Sequence, residues 1–371
     1  MILFSKNRNC FMRQIYSTFG LVSLIFTYAF PCSAVFIRDA ENCLLGMNYD
    51  YYYSQGMIFS NHINVKKIGL SDKPELAIEW ISKFGSLTFC QFGKELPTGG
   101  MNEKGLSIQL LYAENVNKIN KINSKSLNEL QWIQFQLDNY ATVDEVIKNL
   151  DRLKISISFM PLKYSVCDSS GKIAFIEPSK DKLIYYYPEA HNSVLTNSEY
   201  KQTCTWAQKK RGSSLNVKSS EERFLILKRA VEAYLNIQKP ALERSLFEIM
   251  DKARIYYKPS LVYLISPPTT TQWQIVYNPS KRLISFRTQN SDKIGCVDVK
   301  KINYKCESIK MAFNIEDLTG DSLIINSRLK EYSDSDNAEI IYKSYASVSN
   351  LFPQAVQDSL VLYPSLLECA K

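Results

Sequence analysis

Short apolar runs alternate with polar, turn-rich stretches over the first part of the chain, the spacing of strands rather than helices. "SAVFI" (33–37) and "CLLGMNY" (43–49) flank the polar "RDAEN" and predict a hairpin. "MIFSN" predicts the next strand. "SLTFCQFG" and "LSIQLLYAE" predict two more, and the intervening "KELPTGGMNEKG" reads as turn because it carries three glycines. The period then changes. "SKSLNELQWIQFQLDNYA" places apolar residues at 127, 130, 133 and 137, a helical spacing. Ser126 with Glu129, and Thr142 with Glu145 in the next segment, have the form of capping boxes.

Strands return in "LKYSVCDSSGKIAFIEP", "KLIYYYP" and "SVLTN". A second helical block follows in "SSEERFLILKRAVEAYL", with Ser219 and Glu222 as a third capping box, and in "PALERSLFEIM", with Pro240 placed for a first helical turn. "SLVYLIS", "WQIVYNPS" and "LISFRT" are the last clear strands. Blocks of strands separated by blocks of helices point to an α+β fold with an antiparallel sheet rather than a doubly wound one. "EYSDSDN" (331–337) is the one linker-like stretch.

The first 31 residues differ from the rest. They hold Lys6, Arg8 and Arg13 and no acid, followed by the 16-residue uncharged run "IYSTFGLVSLIFTYAF". That is the form of an export signal, and it is shorter than the ~20 residues of a membrane-spanning helix. The expected division is a signal or prepeptide at 1–31, one large domain at 32–350 and a tail at 351–371, with the mature protein periplasmic or secreted and without stable membrane insertion. Of the formal net charge of +8, only about +5 lies beyond residue 31, and it is scattered, so no nucleic-acid footprint is present.

Nine cysteines contain no C-x-x-C pair, which argues against a zinc site. Cys296 and Cys306 are the expected local disulfide. Phosphate-loop and dinucleotide fingerprints are absent. His62 and His191 are the only histidines, both in polar contexts that read as surface. One nucleophile needs no histidine: an N-terminal residue activated by its own α-amine, whose pKa of about 7.7–8.0 suits proton transfer. Cys32 stands where such a residue would, after the apolar run and before the first strand.

From "CSAVFI" and "GMNYDYYY" onward the chain resembles the choloylglycine hydrolase and penicillin V acylase family, linear amide C–N hydrolases of the N-terminal-nucleophile superfamily. "CSAVFI", "LLGMNYDYYY", "PTGGMNEKGLSIQLLY", "SVLTNSEY" and "SSEERFLILKRA" carry the likeness in family order. The resemblance implies a four-layer αββα sandwich, an N-terminal cysteine hydrolase acting through an acyl-thioester, a small-molecule amide as substrate, no cofactor and a homo-oligomer. It implies Cys32 as nucleophile, with its freed amine as base. Asp50 would hold that amine, Asn197 would be the side-chain oxyanion donor, Asn102 the second asparagine, and Arg223 the late arginine of the site. Each has a plainer reading: strand-end turn for Asp50, loop for Asn102, turn or helix cap for Asn197, solvated helix charge for Arg223. The aromatic run "YDYYYSQG" reads as sheet core or as a wall of the acyl pocket.

Met47 departs from the family, whose bile-salt and penicillin types carry arginine there. That keeps open a catalytically impaired binding protein on the same fold, and the place of Cys32 after the apolar run keeps open a surface or anchored structural protein lipidated at Cys32. Three cuts compete at "YAFPCSAVFI": after Ala34, lipoprotein-type before Cys32, and self-cleavage between Pro31 and Cys32.

Overall fold

The computed structural model describes residues 30–39, 42–71, 73–114, 116, 124–156, 160–180, 182–210, 212, 214–237, 243–256, 269–319, 324–346 and 352–371. The segment predicted as a signal up to residue 29, Pro240 and the strand predicted at 260–266 lie outside them.

Two antiparallel sheets face each other. The first runs Val194–Leu195, Ser33–Arg38, Cys43–Tyr51, Thr270–Asn278, Leu283–Thr288, Ser291–Asp298. The second has nine strands: Lys182–Tyr186, Ile173–Ser179, Leu162–Cys167, Ser107–Tyr112, Pro97–Asn102, Ser86–Cys90, Met57–Asn61, Met311–Asn314 and Lys330–Glu331. Helices Ser220–Asn236 and Glu243–Asp251 cover the outer face of the first sheet, and Glu129–Asn139 covers the second. This is the expected α+β sandwich with helices outside both sheets. Between the sheets, Phe89 meets Phe286 at 5.5 Å, Phe36 meets Phe175 at 5.6 Å, and the Tyr277 hydroxyl donates to Gln109 Oε1 at 2.8 Å. Such edge-to-face and tilted aromatic pairs add ~0.5–1.5 kcal/mol each beyond the area they bury.

The hairpin at 33–51 forms as predicted, with Ser33 opposite Asn48 and Arg38 opposite Cys43. The glycine-rich stretch does not: Pro97–Asn102 is a fully buried central strand. Its glycines are there for close packing. A Cβ on Gly99 would lie 2.0 Å from Gln109 Oε1, and one on Gly100 2.6 Å from the Leu87 carbonyl oxygen. Two caps also differ. Asn128, not Ser126, caps helix Glu129–Asn139, because Ser126 is already in a strand. Thr142 and Glu145 form the predicted box, whereas Ser219 caps its helix but Glu222 reaches the Asn216 N–H instead.

The linker reading of 331–337 is wrong: Ser333 caps helix Asp334–Tyr345, so its acids and serines are a helix start. Residues 352–371 are packed into the fold through helix Gln354–Leu362 and strand Glu368–Cys369, which pairs with Val65–Ile68. The disulfide joins Cys306 to Cys369, across 63 residues, and Cys296 is free. The local pairing fails because partner choice follows the tertiary path of the C-terminus. His62 is buried, not a surface residue, with its ring nitrogens facing Ser60 Oγ and the Cys306 carbonyl. Burial and the Lys94 charge push its pKa down to about 4.

Candidate active site

Cys32 ends the irregular entry to the central Ser33–Arg38 strand and is 2% exposed. Its N–H donates to the Phe30 carbonyl at 2.8 Å, a three-residue turn centred on Pro31. Its sulfur lies 3.8 Å from the Asp50 carbonyl oxygen. Burial and the Asp50 charge push the thiol pKa up to about 12, while Arg223 and the Tyr112 backbone pull the other way. In the uncut chain the thiol is therefore neutral and weakly nucleophilic.

Asp50 comes from the adjacent strand Cys43–Tyr51 and is fully buried. Among the described residues neither of its carboxylate oxygens has a hydrogen-bond partner. Burial raises its pKa to about 7, against the opposing influence of the cross-strand Thr271 hydroxyl and the Arg223 and Arg254 charges. The Thr271 hydroxyl favours the ionised form without meeting hydrogen-bond geometry; its oxygen accepts from the Ile255 N–H. A buried carboxyl left in this state costs free energy unless a cation joins it.

Asn197 follows the edge strand Val194–Leu195. Its Nδ2 donates to the Phe30 carbonyl at 2.6 Å and to the Tyr112 carbonyl at 3.0 Å. Arg223, in the first turn of helix Ser220–Asn236, is wholly buried and fixes that amide: its Nη2 donates to Asn197 Oδ1 at 2.5 Å. Its Nε donates to Ser33 Oγ at 3.2 Å, and its Nη1 to the carbonyls of Val217 and Lys218. Four hydrogen bonds from this rigid fork thus tie the helix start to Asn197 and to the strand that follows Cys32.

The structure brings Cys32, Asp50, Asn197 and Arg223 together and sets Asn102 apart. The Asn102 amide donates to the carbonyls of Leu137 and Tyr140 at the end of helix Glu129–Asn139, and its Oδ1 accepts from the N–H groups of Lys104 and Leu106. All its capacity goes into a helix end and a turn. Tyr112, at the end of the next strand, stands beside Cys32 instead. Its part is played by backbone, which no side-chain pattern announces.

Beside Cys32 opens an apolar cleft lined by Tyr49, Tyr51, Phe92, Leu110, Tyr112 and Leu162. The run "YDYYYSQG" therefore serves in both senses: Tyr49 also stacks on Trp273 at 4.6 Å in the core, and Tyr51 walls the cleft. Met47 is buried between Ala34 and Ile275 and brings no charge. The positive field at the site comes from Arg223, and for Asp50 also from Arg254. Among the described residues no group of three or more His, Cys, Asp and Glu side chains is placed to hold a metal ion.

The profile of the linear amide C–N hydrolases, choloylglycine hydrolase family, matches residues 32–236, more than half of the chain, and begins at Cys32. The chain belongs to that family. The hydrolase is 27% identical to the penicillin V acylase of Pectobacterium atrosepticum over 266 residues, 62% of this chain and 70% of that one. Its fold is similar to that of the penicillin V acylase from Agrobacterium tumefaciens, at 20% identity and TM-score 0.66, over 81% of this chain and 98% of the other. It is also similar to that of a conjugated bile acid hydrolase from Clostridium perfringens, at 19% identity and TM-score 0.63, over 79% and 98%. The enzyme is thus a linear amide hydrolase with an N-terminal-nucleophile hydrolase fold.

Proposed function

We propose that this hydrolase is exported, is cut between Pro31 and Cys32, and uses Cys32 as an N-terminal nucleophile on a linear non-peptide amide. The observation that carries the reading is the Asp50 carboxylate, buried beside Cys32 with neither oxygen hydrogen-bonded among the described residues. A freed α-ammonium on Cys32 is the cation that would satisfy it. In the mature site Asp50 holds the amine, the amine takes the thiol proton, and the sulfur attacks the amide carbon. Asn197 is then free of the Phe30 carbonyl and donates to the oxyanion, held in aim by Arg223. The protonated amine passes its proton to the leaving amine, and water resolves the thioester.

Self-cleavage follows the same chemistry. The Asp50 carboxylate, with a pKa near 7, takes the thiol proton. The sulfur bonds to the Pro31 carbonyl carbon, the bond to the Cys32 nitrogen breaks, and that nitrogen recovers the proton as an amine. Water then splits the thioester into the Pro31 carboxylate and the Cys32 thiol. Burial of Pro31 and Cys32 supports a cut made from within, since an outside protease needs the segment drawn out of the fold. Ala34 and Val35 are buried strand residues, so a cut after Ala34 would take two residues from a central strand. The Cys306–Cys369 disulfide supports an oxidising, exported setting. The Arg223 charge at the thiol weighs against reading Met47 as the mark of an inactive relative.

Candidate substrates are penicillin V-like amides, N-acyl amino acids, acyl-homoserine lactones and conjugated bile acids. The narrow aromatic cleft favours the short acyl groups over a steroid. The test is amine release from a panel of these amides by wild type and Cys32→Ala. Turnover of a short acyl or aryl-acyl amide that vanishes in the variant is expected; activity retained without Cys32 would end the proposal.

A further inference from the structure

Phe30 precedes the bond that self-cleavage would break, yet it is held like a bound ligand. Its residue is 6% exposed. Its ring stacks on Tyr51 at 4.9 Å and meets the edges of Tyr52 at 5.6 Å and Tyr112 at 6.0 Å. Its carbonyl accepts from Asn197 Nδ2 at 2.6 Å and from the Cys32 N–H at 2.8 Å. The ring lies in the same cleft as Cys32 and Asp50, and with it there only about 30 Å³ remains free.

We propose that Phe30 is the positioning residue for maturation: its ring anchors the prepeptide in the acyl cleft, and the mature cleft binds a C-terminal Phe-Pro carboxylate as the product of that first cut. The proposal rests on the self-cleavage reading above. Two anchors are at work. The aromatic cage fixes the ring, and the Asn197 amide fixes the carbonyl one residue before the scissile one. Together they hold the Pro31 turn against the sulfur, which converts attack into a step within one ordered site. They also block it: while Phe30 stays, the cleft is full and both Asn197 N–H groups are engaged, one by the Phe30 carbonyl and one by the Tyr112 carbonyl. Release of the prepeptide opens the cleft and frees an oxyanion donor in the same event.

The ring leaves with the prepeptide, so substitution at Phe30 changes the precursor and not the mature enzyme. The experiment follows the fraction of chains beginning at Cys32, by intact mass over time, for full-length wild type, Phe30→Leu and Phe30→Ala. Maturation slowed at least ~10-fold in Phe30→Ala is expected, with Phe30→Leu between the two, since it keeps much of the volume. Mature protein from all three should share one kcat and one KM, which a general folding defect would not preserve. In a second measurement, N-acetyl-Phe-Pro should inhibit the mature wild type competitively and at least ~10-fold more tightly than N-acetyl-Ala-Pro. Equal maturation rates for the three chains, or equal inhibition by the two dipeptides, overturns the role of Phe30. A wild-type chain that never begins at Cys32 overturns it too, and marks the self-cleavage reading as the step that failed.

Discussion

Asp50 makes the uncut chain sensitive to pH in a way the mature enzyme should not be. Its pKa rises from 3.8 when unfolded to about 7 in the fold, chiefly through burial. The folded state prefers the neutral acid, so the stability linked to this group is complete below about pH 4. It is lost as pH rises, and the loss levels off above about pH 7. The whole shift corresponds to ~4 kcal/mol, of which about 3 kcal/mol falls between pH 5 and pH 8. The perturbation is Asp50→Asn in a Cys32→Ala chain, which stays a precursor. Urea unfolding of both chains from pH 5 to pH 8 isolates the group, because every other titration cancels in the difference. The Asp50 chain should lose about 3 kcal/mol relative to Asp50→Asn across that range. In mature wild type the α-ammonium of Cys32 returns the carboxyl toward its ordinary range, and that difference should close. Parallel profiles for the two precursors would refute the reasoning, and so would an equal pH penalty in the mature enzyme.

Three further outcomes follow from the same contacts. Arg223→Leu removes the donor that aims Asn197, and kcat should fall roughly 10²-fold with a smaller change in KM, measured on the chain that still matures. Asn102→Ala should behave as a stability variant: loss of its four hydrogen bonds, three of them buried, should cost about 3 kcal/mol by urea unfolding, while kcat of the folded fraction stays near wild type. Cys306→Ser opens a 63-residue loop and should cost about 4 kcal/mol, with labelling of the newly free Cys369 as a check.

The sequence made the strand and helix blocks legible because both sheets bury one face under helices and the other against each other, which keeps their apolar runs continuous. The hairpin at 33–51 and the Thr142 box rest on local chemistry and could be read locally. Cys32, Asp50, Asn197 and Arg223 were found through resemblance, and their proximity is a property of the fold. The misses have a common cause in long-range packing. Gly99 and Gly100 look like turn residues until Gln109 and the Leu87 carbonyl are seen pressing on them. Asn102 sits in a family-like block but is claimed by the end of a helix that starts 27 residues later. Tyr112 contributes backbone, to which residue type is nearly silent. A buried ionic cluster had no local mark either: Lys67 lies 2.6 Å from Glu95 and 3.0 Å from Asp138, brought together from three separate segments.

The central claim is that Cys32 becomes the first residue. Intact mass and N-terminal sequencing of the protein recovered from the exported fraction test it most directly. The account predicts a chain of residues 32–371 with an unmodified Cys32, and an uncut precursor when Cys32→Ala is expressed in the same way. A chain beginning at Val35, a lipid-sized addition on Cys32, or Cys32→Ala processed at the same bond would contradict it.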